Sequence, residues 1–260
     1  ELPPVDERLP VNPRVVEPLG EVGKYGGDLQ YGFTGSPTWG GMLYIASWDH
    51  PTQWLADSSG YVANIIEDWE VNDTATEDIW YLREGMKWSN GDPYTADDIV
   101  FYVDDVLKNV ELNPAGPPVT GWLTKEQIDG FGVEKIDDYS IRFIFPNPYG
   151  TFMMALSPWA GRFFAMYPDE YLKQFHTDYN PDVDELVAAD DQAEDWAALF
   201  LLKCPKGHLD FFFNDPELPV LGPYVVKQPL GAGTTVIMER NPYYWKVDTA
   251  GNQLPYIDRV

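Results

Sequence analysis

Residues 82–107 read LREGMKWSNGDPYTADDIVFYVDDVL, and this stretch decides how the rest of the chain is read. Ile79–Arg83 enters it with strand character, following the turn-rich Asn72–Asp78. Glu84-Gly85 and Asn90-Gly91 mark turns on either side of Met86–Trp88. Thr95 then opens a helix, because Thr95 to Asp98 has capping-box form and Asp97 and Asp98 suit the positive helix start. Ile99, Tyr102, Val103, Val106 and Val110 fall at helical spacing and form one apolar face. Pro114 lies just beyond and stops the helix.

Toward the C-terminus, residues 111–123 form a Pro/Gly loop ending in Trp122. Phe131–Lys135 and Tyr139–Phe145 predict a hairpin across Asp137-Asp138, closed by Pro146 and Pro148. Helices are predicted at 151–156, 169–175 and 183–202, the last with Leu186, Ala193, Trp196, Ala197 and Phe200 on one stripe. Pro205–Pro219 is irregular, and Tyr224–Lys227 and Thr234–Glu239 predict a strand pair. Toward the N-terminus, Tyr61–Trp69 reads as a short helix, Thr34–Trp54 as a Gly/Pro/Trp-rich loop and Asp28–Phe33 as a strand. Residues 1–27 read as an extended segment broken by five prolines. The alternation is α/β or α+β, with no linker separating independent domains.

Composition narrows function. The chain has 260 residues, 42 Asp+Glu against 17 Lys+Arg, and a formal charge of −25. Such a balance opposes sequence-independent nucleic-acid binding and docking on anionic membranes, both of which need clustered cations. Apolar residues make up 44% and aromatics 15%, so the chain has the means to build a core and is not a disordered polyanion. The single cysteine, Cys204, excludes an internal disulfide. No apolar run approaches the roughly 18 residues of a membrane span. The start at Glu1, with no Met, reads as a processed or trimmed N-terminus.

Motifs for catalysis are lacking. His50, His176 and His208 are far apart in sequence, and no zinc spacing exists, so neither metal nor cofactor is expected. Residues 182–185, DVDE, lack the glycine and later glutamate of a calcium loop and read as a solvated acidic helix start. No nucleophile elbow or phosphate loop is present. With 42 acids, close carboxylate pairs are guaranteed by chance and say little about hydrolysis. The tryptophans are more informative. Trp39, Trp48, Trp54 and Trp122 sit in Gly/Pro-rich loops, where a broad apolar face and one N–H suit stacking on a ligand. Trp69, Trp80, Trp88, Trp159, Trp196 and Trp245 are expected in the core.

At this level the motifs carry a resemblance. Asp68-Trp69-Glu70-Val71, Leu82-Arg83-Glu84-Gly85-Met86-Lys87-Trp88 and Gly91-Asp92-Pro93-Tyr94-Thr95-Ala96-Asp97-Asp98-Ile99-Val100-Phe101 are similar to the signature of bacterial extracellular solute-binding proteins of family 5, with Asn90 in place of the usual Asp. Asp138–Pro148, Leu221-Gly222-Pro223-Tyr224, Glu239–Trp245 and Pro255–Val260 resemble the family's later segments in the same order, the second without its Thr. The Pro-rich start and Tyr171–Asn180 resemble a long-chain subgroup that includes oligosaccharide receptors.

The resemblance implies an α/β fold, a class II periplasmic-binding-protein-like lobe with a mixed sheet and flanking helices. It implies that residues 1–260 are the N-terminal lobe of a two-lobed receptor, without the second lobe or the C-terminal return segment. It further implies the substrate-binding component of an ABC importer, periplasmic or extracellular, meeting a permease and touching membrane only through an upstream lipid anchor. The solute is an oligosaccharide or an oligopeptide, with the sugar favoured by the loop tryptophans. Trp39, Tyr44, Trp48 and Trp122 are the expected stacking residues, with Asp49 and His50 as polar partners. Two other readings stand beside it: a carbohydrate hydrolase using paired carboxylates, and a stand-alone interaction module marked by a large exposed apolar patch.

Overall fold

The computed structural model describes residues 3–32, 49–157, 159–204 and 213–260. Among these, ten strands follow in order: β1 (Arg14–Val16), β2 (Thr52–Trp54), β3 (Tyr61–Ala63), β4 (Ile66–Val71), β5 (Glu77–Leu82), β6 (Gly132–Asp137), β7 (Ser140–Ile144), β8 (Tyr224–Gln228), β9 (Ile237–Arg240) and β10 (Lys246–Asp248). The chain divides into two compact units. One comprises residues 1–48, 85–93 and 170–260, the other residues 49–84 and 94–169. The crossing between residues 48 and 49 falls inside the Gly/Pro/Trp-rich loop, and the one between 93 and 94 follows Gly91-Asp92-Pro93, so the sequence marks these places as turns and not as a division of the chain.

The second unit is built on a four-stranded antiparallel sheet ordered β4-β5-β7-β6. Alternation along β5 and β7 places Trp80, Leu82, Ile141 and Phe143 on the buried face. Phe152 from the helix Phe152–Leu156 and Phe164 join them. Trp80 lies 4.3 Å from Phe143 and 5.1 Å from Phe164 between ring centroids. Rings at these spacings add edge-to-face attraction to their burial. The predicted hairpin forms as β6 and β7, paired from Gly132↔Ile144 to Asp137↔Ser140 with a register shift between Lys135 and Asp137.

The helix opened by Thr95 has both halves of its capping box, with Asp98 accepting from the Thr95 N–H at 2.8 Å. The other Asp98 oxygen accepts from the Asp169 N–H at 3.1 Å, so one carboxylate caps the helix and anchors a distant loop. Ala96–Val100 is α-helical and Phe101–Leu107 widens into a π-helix. That widening changes the residues per turn. Tyr102, Val103 and Val106 remain buried, but the helix ends at Leu107, and Val110, predicted on the same face, lies beyond it and is 75% exposed. Asn113 closes the end by donating to the Val106 and Leu107 carbonyls at 2.7 and 3.0 Å.

Tyr61–Trp69 is not the predicted helix; it supplies β3 and the start of β4. Tyr61, Ile65 and Trp69 have helical spacing, but the β-branched residues between them pair instead with β2 and β5. Arg83 then fastens this corner from inside, donating to the Asn64 and Ile66 carbonyls at 2.8 and 3.2 Å.

In the first unit, three segments quoted for the family resemblance converge. The Ser89 N–H donates to the Val220 carbonyl at 3.0 Å, and the Val220 N–H donates to Ser89 Oγ at 3.0 Å. Asn241 donates to the Val220 and Gly222 carbonyls, and the Trp245 indole N–H to the Leu221 carbonyl at 3.2 Å. Gly91 has φ +100°, and a Cβ there would come within 3.2 Å of the Tyr243 hydroxyl, so a turn and a close approach both call for glycine. Trp88 and Trp245 are buried in this assembly.

The N-terminal segment is more ordered than its prolines suggest: Val5–Arg8 is a short helix, and β1 pairs in parallel with β10. Asp28 bridges Arg259, and β8 pairs with β9 as predicted. Val183–Leu202 is two helices, Val183–Ala189 and Trp196–Lys203. Asp195 caps the second by accepting from the Ala198 N–H at 2.7 Å, which starts a new helix rather than continuing the first. Leu186, placed on the predicted stripe, is exposed, whereas Trp196, Leu199 and Phe200 are buried.

Candidate functional site

Trp39, Tyr44 and Trp48 lie outside the described residues, as do His208 and the Trp159 side chain. Asp49 and His50 are described and open the second unit. Asp49 is buried and accepts from Asn64 Nδ2 at 2.9 Å, while the same amide donates to the His50 carbonyl at 2.9 Å. The Asn64 and Ile65 N–H groups donate to the Pro51 and His50 carbonyls. Thr52 continues the tether by donating to the Met153 carbonyl at 2.8 Å and contacting Ser157 Oγ at 2.9 Å. Residues 49–52 are therefore a strap fixed at both side chain and backbone. It fixes residues 49–52 to the β3–β4 connection and to the helix Phe152–Leu156, and rigid support of this kind is how a neighbouring loop gains precision.

Trp122 is placed differently from the expectation. It is 0% exposed, with Phe164, Phe131 and Phe152 at 4.9, 5.4 and 6.0 Å between centroids. The Tyr149 hydroxyl donates to its carbonyl at 2.7 Å. Gly121 helps the loop sink, since a Cβ there would come within 2.7 Å of the Ala160 Cβ. Trp122 is a core residue, with no ring face left for a ligand.

Trp54 has the opposite placement. It is 40% exposed and meets Tyr61 edge-on at 5.9 Å, and Tyr61 lies at 5.9 Å and 27° from Trp69. Trp54 and Tyr61 are cross-strand partners on β2 and β3, so the ladder stabilises that hairpin while showing aromatic surface. In the first unit, a groove of about 630 Å³ follows residues 28–32 and β9, with Tyr31, Leu230 and Met238 in its wall. Tyr31 is half exposed there.

Hydrolysis by paired carboxylates needs one acid with a raised pKa in an open cleft. Burial pushes the Asp78 carboxyl up to about 7, but this residue is sealed on the core face of β5 beside the rings described above. Among the described residues no cluster of three or more His, Cys, Asp or Glu could hold a metal, and no helix is long and apolar enough to cross a membrane.

Residues 60–260 match the family model described as bacterial extracellular solute-binding proteins, family 5 Middle. The chain belongs to this family. It is 30% identical, over its whole length, to the periplasmic alpha-galactoside-binding protein of Rhizobium meliloti (strain 1021). Among solved structures it is similar to an oligopeptide-binding protein OppA, with a TM-score of 0.85 and 36% identity. It is also similar to the periplasmic binding protein MelB of Agrobacterium fabrum C58 in complex with stachyose, with a TM-score of 0.72 and 26% identity. Both superpositions cover the whole chain. The fold is thus the α/β periplasmic-binding-protein fold that the motif order implies. The chain spans 36% of the Rhizobium protein and 38% of each of the two structures.

Proposed function

We propose that this family 5 chain is the N-terminal lobe of the solute-capturing component of an ABC importer and that its solute is an oligosaccharide. The observation that carries the sugar reading is the match of the entire chain to the periplasmic alpha-galactoside-binding protein, supported by the likeness to MelB bound to stachyose. Trp39, Tyr44 and Trp48 supply stacking faces for sugar rings, and the strap at Asp49 and His50 holds the loop that carries them. The chain acts by binding and not by catalysis. It works in the periplasm or outside the cell, delivers its solute to a permease, and reaches the membrane only through a lipid anchor upstream. An acidic protein favours a neutral or cationic solute over an anionic one at long range.

The likeness to OppA at 36% identity supports an oligopeptide as the second reading. Calorimetric titration of the full-length protein with stachyose and with a mixed peptide pool separates the two. Heat with stachyose supports the sugar; heat with peptides alone removes it in favour of the second reading.

A further inference from the structure

Asn90-Gly91 lies at the tip of a loop whose two sides bridge at Lys87 and Pro93, and it carries chemistry that solute capture does not use. Asn90 is the one asparagine in the chain that precedes glycine. Five others precede proline, whose nitrogen carries no hydrogen, and Asn64 and Asn109 precede β-branched residues. A backbone nitrogen attacks the side-chain amide of the residue before it most readily where no side chain crowds the approach, and glycine has none. Asn90 is also exposed, so hydroxide and water reach it.

The turn presents this amide for attack. The Asp92 N–H donates to Asn90 Oδ1 at 3.2 Å, which folds the Asn90 side chain back along the Gly91 peptide. The same N–H polarises the side-chain carbonyl and meets the negative charge that grows on Oδ1 as its carbon becomes tetrahedral. Asn90 Nδ2 donates to Asp92 Oδ2 at 2.5 Å, which holds the amide in one orientation. The Trp88 N–H closes the loop by donating to the Asp92 carbonyl at 2.8 Å. One contact opposes the reaction: the Gly91 N–H donates to the Trp88 carbonyl at 2.9 Å. Freeing that nitrogen costs a single hydrogen bond, a factor of about ten in rate.

We infer that Asn90 is a site of spontaneous deamidation in the folded protein, through a cyclic imide closed by the Gly91 nitrogen. Hydroxide takes the Gly91 N–H proton, the nitrogen bonds to Asn90 Cγ, and the Cγ–Nδ2 bond breaks. The departing nitrogen takes a proton from water and leaves as ammonia, which restores the hydroxide. Water then adds to one of the two imide carbonyls and opens the ring to aspartate or isoaspartate. Either product adds one negative charge and sets a carboxylate against Asp92 where a hydrogen bond now stands. The isoaspartate form also lengthens the backbone directly before Gly91, where a Cβ would already come within 3.2 Å of the Tyr243 hydroxyl. The site lies within one unit and does not depend on which solute the receptor transports.

Incubation of the full-length protein at pH 8, with timed samples digested by trypsin, tests it. Cleavage after Lys87 and Lys108 isolates the peptide Trp88–Lys108, and mass spectrometry follows its conversion to the acidic form. A sample digested at time zero corrects for deamidation during digestion. Conversion is expected at a rate within about tenfold of that of a synthetic peptide of residues 86–94 under the same conditions. Asn90→Gln, whose ring closure needs one more atom, should leave the peptide unconverted over the same period. Asn90→Asp should show from the start the charge shift that the parent acquires with time on isoelectric focusing. The inference is overturned if the folded protein converts more slowly than that tenfold margin, or if Asn90→Gln acidifies in this peptide as fast as the parent.

Discussion

Replacing Asp78 with Asn should stabilise the protein above neutral pH and leave it nearly unchanged at pH 4. Asp78 points from β5 onto the core face and is 1% exposed, and its Oδ2 is buried without a hydrogen-bond partner among the described residues. Burial disfavours its charged form and lifts the carboxyl from 3.8 to about 7. The folded protein therefore keeps a proton that the unfolded chain has released over this range. Stability is full below about 4, falls as pH rises through about 7 and is level beyond it. A shift of about three units at ~1.4 kcal/mol each sets an upper limit of ~4 kcal/mol. Relaxation of the protein around a buried charge lowers the effective penalty, so about 2 kcal/mol is the working figure. Asn has the shape of the protonated acid but no charge to desolvate. For a protein of this size, ~2 kcal/mol corresponds to a rise in Tm of about 4–8 °C. Thermal melts of the parent and Asp78→Asn, followed by circular dichroism from pH 4 to 8, measure the difference. A gain of equal size at both ends of the range, or a loss at pH 8, refutes the desolvation account.

Three further outcomes are expected. Burial alone would raise the Asp248 carboxyl, but donors from Tyr256, from the Asn252 side chain and backbone and from the Ala250 N–H outweigh it and hold the group down at about 2. Its stabilising contribution is present above 3.8 and lost as pH falls toward 2, so Asp248→Asn should flatten the acid limb of a Tm-against-pH curve; an unchanged limb would dismiss this hub. Trp122→Ala should cost roughly 3–5 kcal/mol in chemical denaturation, the range for an emptied aromatic site in a core. An unaltered midpoint with lost solute affinity would return Trp122 to the ligand. The isolated 260-residue chain should bind stachyose with millimolar affinity at best, since it spans 36–38% of its relatives; a submicromolar Kd by calorimetry would contradict that.

Local signals in the sequence were reliable where the structure satisfies them locally. The Thr95–Asp98 capping box, the β6–β7 hairpin across Asp137-Asp138 and the β8–β9 pair all need only neighbours in sequence. Errors arose where distant partners intervened. Tyr61–Trp69 had helical spacing, yet open hydrogen-bonding edges on β2 and β5 drew it into strands. Val110 fitted an α-helical face, but the helix ends at Leu107, where Asn113 takes the last carbonyls, and leaves Val110 outside it. For the candidate site, Trp54 and Trp122 were indistinguishable in sequence, both in loops rich in Gly and Pro. One ring is 40% exposed and the other fully enclosed, because whether a ring face is covered depends on Phe131, Phe152 and Phe164, brought in from other elements.

By itself, the sequence determined the family. Its ordered motifs are turns, caps and docking residues, such as Ser89, Gly91, Asn241 and Trp245, whose backbone demands admit few alternatives. Only the tertiary structure decided which aromatic rings remain open and which carboxylates are paired. Those are properties of burial and of distance between remote segments, and neither is written in the spacing of residues along a chain.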